Sequence, residues 1–175
     1  YESLDLKETP LISFDKVRVD FTDGKIIGYK NYRKTPKEKL TWSGSIRVGD
    51  ESFERSFYEI TTNMGFNNLI SQSSELFSDK SDNSNKLPKY IIGAEITDYK
   101  VNYQEVKAKR NLGGSMLGIT VIDFEWHVLD QQSGQEVLMI ENSASVKYRQ
   151  RNYESNIYNH DVYELGLIKF LSDTK

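Results

Sequence analysis

Three long segments after Pro88 constrain the fold most, because each of them alternates apolar and polar residues. The middle segment, Gly118–Leu129, has apolar side chains at every second position: Ile122, Phe124, Trp126 and Val128. The flanking segments, Tyr90–Val106 and Glu136–Arg149, alternate in the same way, and a change of parity near Asp98 predicts a β-bulge. Because strand side chains alternate between two faces, the pattern predicts an antiparallel meander with one face covered.

Two amphipathic helices are predicted around this meander. The first begins near Gly49–Ser52, with Asp50 or Ser52 as its capping residue. Its apolar stripe has helical spacing and consists of Phe53, Phe57, Ile60 and Met64. Gly65 suits the left-handed position that closes a helix, and Phe66 is placed to fold back onto the last turn. The second helix is predicted over about residues 157–171.

Shorter elements are predicted before Pro88. Strands are expected at Phe14–Phe21, Ser43–Val48 and Asn67–Ser71. The lysine-rich stretch at about 22–42 is predicted to be a basic loop, since it contains Pro36, and residues of about 78–88 a mobile loop. We therefore predict a single α+β domain over residues 1–175. It would have a mixed, mainly antiparallel sheet with a three-stranded meander and two helices packed on one face.

Composition excludes several kinds of chemistry. The chain has 175 residues, no cysteine and two histidines, so disulfides, thiolate nucleophiles and Cys-ligated zinc are excluded. No apolar run approaches the roughly 20 residues that a membrane-spanning helix needs. The sequence begins at Tyr1, so a signal peptide or a lipidated cysteine further upstream would not be visible in it.

The basic stretch carries six cations opposed by one carboxylate. They are Lys25, Lys30, Arg33, Lys34, Lys37 and Lys39, opposed by Glu38. One interpretation is contact with an anionic lipid surface through Lys30, Arg33, Lys34 and Lys37, and the other is a solvated loop. Nucleic-acid binding is not expected, because the chain has a net charge of −3 and shows no basic aromatic sheet face.

Asp123, Glu125 and His127 are the best catalytic candidates, because a strand would display all three on one face. They could bind a metal or form an acid–base pair, but a solvent-facing sheet surface carries such residues without any function. His160 and Asp161 are adjacent, and neighbours on a helix point about 100° apart, so a helix start explains them better than half of a catalytic triad. We therefore predict no catalytic, cofactor-binding or metal-binding residue.

Two sequence blocks resemble Gram-negative envelope lipoproteins. They are PKYIIGAEITDY at residues 88–99 and FEWHVLD at 124–130, the second followed by SGQ at 133–135. The resemblance is to the groups of the curli-secretion lipoprotein, the YajG-like lipoproteins, the auxiliary lipoproteins of envelope ABC transporters and the amino-terminal domain of TolB. It covers about residues 50–171 and departs at the amino end. It implies a periplasmic, outer-membrane-anchored accessory or scaffold protein without catalysis.

The function expected from sequence is therefore binding of other envelope proteins or self-assembly. A small-ligand or lipid-binding module and a hydrolytic enzyme of unknown type remain alternatives. Partner recognition is expected at a sheet edge, at Tyr90–Val106 or Glu136–Arg149, with Arg149, Arg151 and Tyr153 as candidate contacts. The competing expectation is that Phe14–Phe21 covers this edge.

Overall fold

The computed structural model describes residues 11–19, 21–33, 35–43, 51–70, 87–106, 115–151 and 159–174. The elements in chain order are β1 Ile12–Val19, β2 Ile26–Asn31, β3 Glu38–Thr41, α1 Glu51–Asn63, β4 Tyr90–Val106, β5 Ser115–Asp130, β6 Gln135–Arg151 and α2 Asn159–Asp173. The predicted α+β class is confirmed, because the strands form one mixed, mostly antiparallel sheet against two helices.

The sheet is built around β4. One side of β4 pairs antiparallel with β5 over its whole length, and β5 pairs antiparallel with β6 to complete the predicted meander. The other side of β4 pairs in parallel with β1 along Tyr90–Ile96 and with β2 along 101–104, and β3 extends β2. The predicted bulge is present, since the β4–β5 register shifts between Ile96 and Asp98. Within the described residues, β3 and β6 therefore end the sheet on its two sides, and β6 is the meander strand with no partner on its outer side.

Both helices pack on the same face of the sheet, as predicted. Phe57 of α1 stacks on Phe14 of β1 with ring centroids 4.8 Å apart. Phe170 of α2 stacks on Trp126 of β5 at 4.9 Å, with an interplanar angle of 14°. The helices also contact each other through Phe53 and Tyr163, whose ring centroids are 4.4 Å apart. These contacts form one continuous aromatic core between helices and sheet.

The carboxyl end of α1 confirms the predicted closing motif. Gly65 has a φ of 89°, and its N–H donates to the Thr62 carbonyl at 2.9 Å. The N–H of Phe66 donates to the Thr61 carbonyl at 3.2 Å, which completes a Schellman motif. Phe66 is 1% exposed, so the chain folds back into the core here.

The prediction of a basic loop at 22–42 was wrong, because β2 and β3 form an antiparallel hairpin there. Pro36 lies in the connection between the strands, where it interrupts no ladder. A parallel partner far along the chain stabilises β2, and local sequence gives no sign of it. Gly28 permits this pairing, since a Cβ there would lie 1.6 Å from the Val101 carbonyl oxygen.

The remaining predicted elements are only partly described. Asn67–Ser71 is reduced to a bridge between Leu69 and Ile12, and Ser52 lies inside α1 rather than capping it. Asp50 lies outside the described residues. So do most of the predicted strand Ser43–Val48 and of the predicted loop at 78–88.

Candidate partner-binding surface

The face of the sheet opposite the helices is here called the open face. Alternate residues of β4, β5 and β6 point to it, and the alternation continues to β1, β2 and β3 through their register with β4. Among its apolar residues, Leu117 is 37% exposed, Leu129 38% and Met139 46%. Leu117 lies at one end of the face, and Leu129 and Met139 lie at the other, so both ends offer apolar contacts.

Asp123, Glu125 and His127 lie on the open face, as the alternation predicts. The structure adds two carboxylates from neighbouring strands, because Glu125 is directly opposite Glu95 on β4 and Glu141 on β6. Like charges directly opposite each other in a sheet are destabilising. This row of three glutamates therefore does not contribute to folding stability.

The imidazole of His127 lies between two carboxylates. Its Nδ1 is 2.7 Å from Oε2 of Glu136, and its Nε2 is 3.9 Å from Oε2 of Glu125. Within the described residues, no group of three or more His, Cys, Asp or Glu side chains could hold a metal ion. The imidazole is therefore held on the open face by contacts with two carboxylates.

A groove lies beside His127 on the open face, along β1, which pairs in parallel with β4 there. It has a volume of about 260 Å³ and lies between Asp15, Lys16 and Arg18 of β1 and the His127–Glu136 pair. A register shift in β1 between Phe14 and Val17 turns Asp15 and Lys16 toward it, and Gly93 leaves its floor open. Ligand pockets usually measure roughly 300–1,000 Å³. The groove therefore suits a single side chain of a partner better than a whole small molecule.

The other end of the open face is basic. Its cations are Lys39, Lys100, Lys147 and Arg149, and they surround the side chains of Tyr29, Leu117, Ile119 and Val121. The Nε and Nη2 atoms of Arg149 each donate to Ser115 Oγ at 3.2 Å. This end therefore combines apolar surface with positive charge.

Asp98 lies at the boundary between the two ends. Its Oδ2 is 2.5 Å from Nζ of Lys100, and its Oδ1 is 3.5 Å from Nζ of Lys25. The hydrogen bond from Lys100 holds the pKa of Asp98 below its usual value. The same contact raises the pKa of Lys100. Both groups are therefore charged at neutral pH. Asp98 and Lys100 mark the point along β4 where the open face changes from acidic to basic.

Three of the four residues proposed from sequence for an anionic surface can be located. Lys30 lies on the helix side of the sheet, in register with buried Tyr103 and 4.0 Å from Glu38. The backbone N–H of Arg33 donates to Glu105, and Lys37 is exposed in the β2–β3 connection. Lys34 lies outside the described residues, so the patch of four remains a prediction.

Of the three candidate partner contacts, only Arg149 is described together with its side chain. Arg149 is on the open face, and Arg151 ends β6 opposite Ser115, although its side chain is not described. Tyr153 lies outside the described residues. Sequence reasoning missed Glu95, Glu141, Lys39, Lys100 and Lys147, which alternation puts on polar faces but only strand register brings together.

Comparison with known proteins gives structural neighbours only. No family model and no curated protein matches the sequence. A protein of family DUF330 from Xanthomonas campestris aligns at TM-score 0.47 and 11% identity, over 93% of this chain and 80% of that one. A minor lipoprotein from Acinetobacter baumannii aligns at 0.38 and 12%, over 98% and 92%. A candidate lipoprotein from Caulobacter crescentus aligns at 0.37 and 12%, over 70% and 77%.

Two of these three neighbours are described as lipoproteins. The narrower likeness to YajG-like proteins stays a prediction. In the part of the chain that the structure describes, no helix is long and apolar enough to cross a membrane. At these identities and TM-scores, function has to be inferred from this chain's own residues.

Proposed function

We propose that this chain is a non-catalytic accessory protein of the cell envelope that binds another protein through its open face. The sequence resemblance supports a periplasm-facing lipoprotein anchored in the outer membrane. The partner is an envelope protein or a second copy of the chain. The open face would then do the binding while the lipid anchor sets the location.

One observation carries the proposal: the two faces of the sheet differ in what covers them. Helices bury one face, with Trp126 and Val128 fully buried, whereas the open face exposes Leu117, Leu129 and Met139 beside the row of three glutamates. The row of glutamates places like charges directly opposite each other, which lowers stability. Residues that reduce stability at a surface are often kept for binding.

Site-specific photo-crosslinking in the native host tests the open face. A photoreactive phenylalanine analogue replaces Leu117 or Met139 in the chain expressed with its own upstream sequence, and crosslinked products are identified by mass spectrometry. We expect a discrete crosslinked protein from both positions. Ile168 is the matched control, because it is 40% exposed but lies on α2 away from the open face.

Two results would contradict the proposal. One is crosslinking from Ile168 with none from Leu117 or Met139, which would place binding on the helix side. The other concerns location: if the full-length product carries no lipid and fractionates with the cytosol, an envelope lipoprotein role is excluded.

A further inference from the structure

The open face is divided into two regions of opposite charge, here called the acidic half and the basic half. The acidic half carries seven carboxylates, Asp15, Glu95, Asp98, Asp123, Glu125, Glu136 and Glu141, against the cations Lys16, Arg18 and Lys25. The basic half carries Lys39, Lys100, Lys147 and Arg149, and no carboxylate among its described residues. The boundary falls between Asp123 and Val121 on β5.

A face with this division is complementary to itself after a half-turn. Consider a two-fold axis that runs across the strands at the level of Ile122 on β5 and Ala144 on β6, which are paired in register. Rotation about it brings two open faces together with their strand directions reversed. Glu141 and Lys147 are each three residues from Ala144, so each then faces the other on the second copy. The same rotation brings Asp98 to Lys100 of the second copy.

We propose that the occupant of the open face is a second copy of this chain, packed face to face about this axis. The inference rests on the proposed function and names its partner. Glu141 and Lys147 have no ion-pair partner within their own described chain, and the dimer would supply one for each. The rotation also places Met139 over Arg149 of the second copy, with Leu117 of that copy on the adjacent strand, so both exposed apolar side chains lose contact with water.

The open face is large enough for a specific dimer. From Leu117 to Leu129 it extends roughly 40 Å at about 3.4 Å per residue, and four neighbouring strands span about 15–20 Å. Each copy would therefore bury roughly 600–800 Å², close to the ~800 Å² per partner of a standard interface. Two sheets pack about 10 Å apart with strands rotated by about 30°, so the long Glu and Lys side chains reach across.

Charge reversal tests the axis directly. Sedimentation velocity of the purified chain should show a dimer that weakens as salt rises. Glu141→Lys alone and Lys147→Glu alone should each weaken it at least about tenfold, since two ion pairs per dimer become repulsive. An equal mixture of the two variants should dimerise again, because each changed residue then faces the opposite charge. The double variant E141K/K147E should dimerise with itself.

The controls are Arg55→Glu and Glu59→Lys, which make the same charge changes on exposed positions of α1 and should leave association unchanged. A wild-type chain that stays monomeric, or a mixture of single variants that does not re-form the dimer, overturns the inference. If a monomeric chain still crosslinks another protein from Leu117 and Met139, the proposed function stands without it. Binding of a monomer to anionic vesicles, lost with Lys147→Glu alone, would assign the basic half to lipid instead.

Discussion

At the scale of single residues, Gly166 sets how closely α2 approaches the sheet. A Cβ at this position would lie 2.6 Å from Cε2 and 2.8 Å from Cδ2 of Phe124, a buried ring on β5. The Gly166 carbonyl also accepts a hydrogen bond from Nδ2 of Asn142 at 2.9 Å, which ties the helix to β6. A glycine inside a helix usually costs stability, so here close packing explains it.

Gly166→Ala should therefore destabilise the protein, although helix propensity alone would favour alanine by about 1 kcal/mol. Crowding against the Phe124 ring costs about 1–3 kcal/mol, which leaves a net loss of about 1 kcal/mol. Urea unfolding followed by far-UV circular dichroism measures the difference. Adding Phe124→Leu should relieve the crowding, so that Gly166→Ala becomes less harmful in that background. A more stable Gly166→Ala single variant would show that α2 lies farther from the sheet.

The sequence predicts which residues of one strand share a face, but it does not predict which residues of neighbouring strands lie opposite each other. Alternation was enough to predict that Asp123, Glu125 and His127 share a solvent-facing surface. Their neighbours Glu95, Glu136 and Glu141 come from β4 and β6, and a shift of one residue in pairing would have removed all of them from that face. The candidate site therefore depends on strand pairing, because alternation gives the face of each residue but not the residue opposite it on the next strand.

At the scale of elements, the long strands and both helices could be predicted because each carries its own signal. β4 was predicted to span Tyr90–Val106, and it does; its change of parity correctly indicated the bulge before Asp98. The β2–β3 hairpin was missed because its strands are short, lie in a lysine-rich stretch and flank Pro36. Its main partner, β4, lies about 70 residues along the chain, so the hairpin depends on tertiary contacts.

Because the hairpin depends on pairing with β4, it also depends on Gly28, which lies against Val101 of β4. Gly28→Val should separate β2 from β4, because the new Cβ would collide with the Val101 carbonyl, an immobile backbone group. Hydrogen exchange with mass spectrometry should then show lost protection over residues 26–31 and 38–41, while peptides from β5 stay protected. Gly93→Ala is the control, since its Cβ would meet the nearest atom, the Lys16 carbonyl oxygen, at an ordinary 3.5 Å. Unchanged protection of the hairpin in Gly28→Val would exclude this pairing.

At the scale of the whole molecule, the sheet has one face covered by helices, one open face and two different edges, at β3 and at β6. Sequence predicted that β4 or β6 would border solvent, or that the first strand would cover that edge. Both ideas hold in part: β1 and β2 cover β4, and β6 remains uncovered within the described chain. Lys169 of α2 donates to the Ser143 carbonyl of β6, which occupies an acceptor on this strand. Such a contact guards an edge against added strands.

Association through the open face and association through the β6 edge should leave different patterns of amide exchange. In an edge strand every second N–H bonds to the neighbouring strand while the others face outward, so exchange alternates between slow and fast along β6. Face-to-face packing leaves the outward amides unpaired, and we expect the alternation over residues 137–149 to persist at high protein concentration. Pairing of β6 with a strand from another chain would protect those amides and remove the alternation. Residue-resolved exchange by NMR at two concentrations distinguishes the cases, with the interior strand β4 as the internal standard for global unfolding.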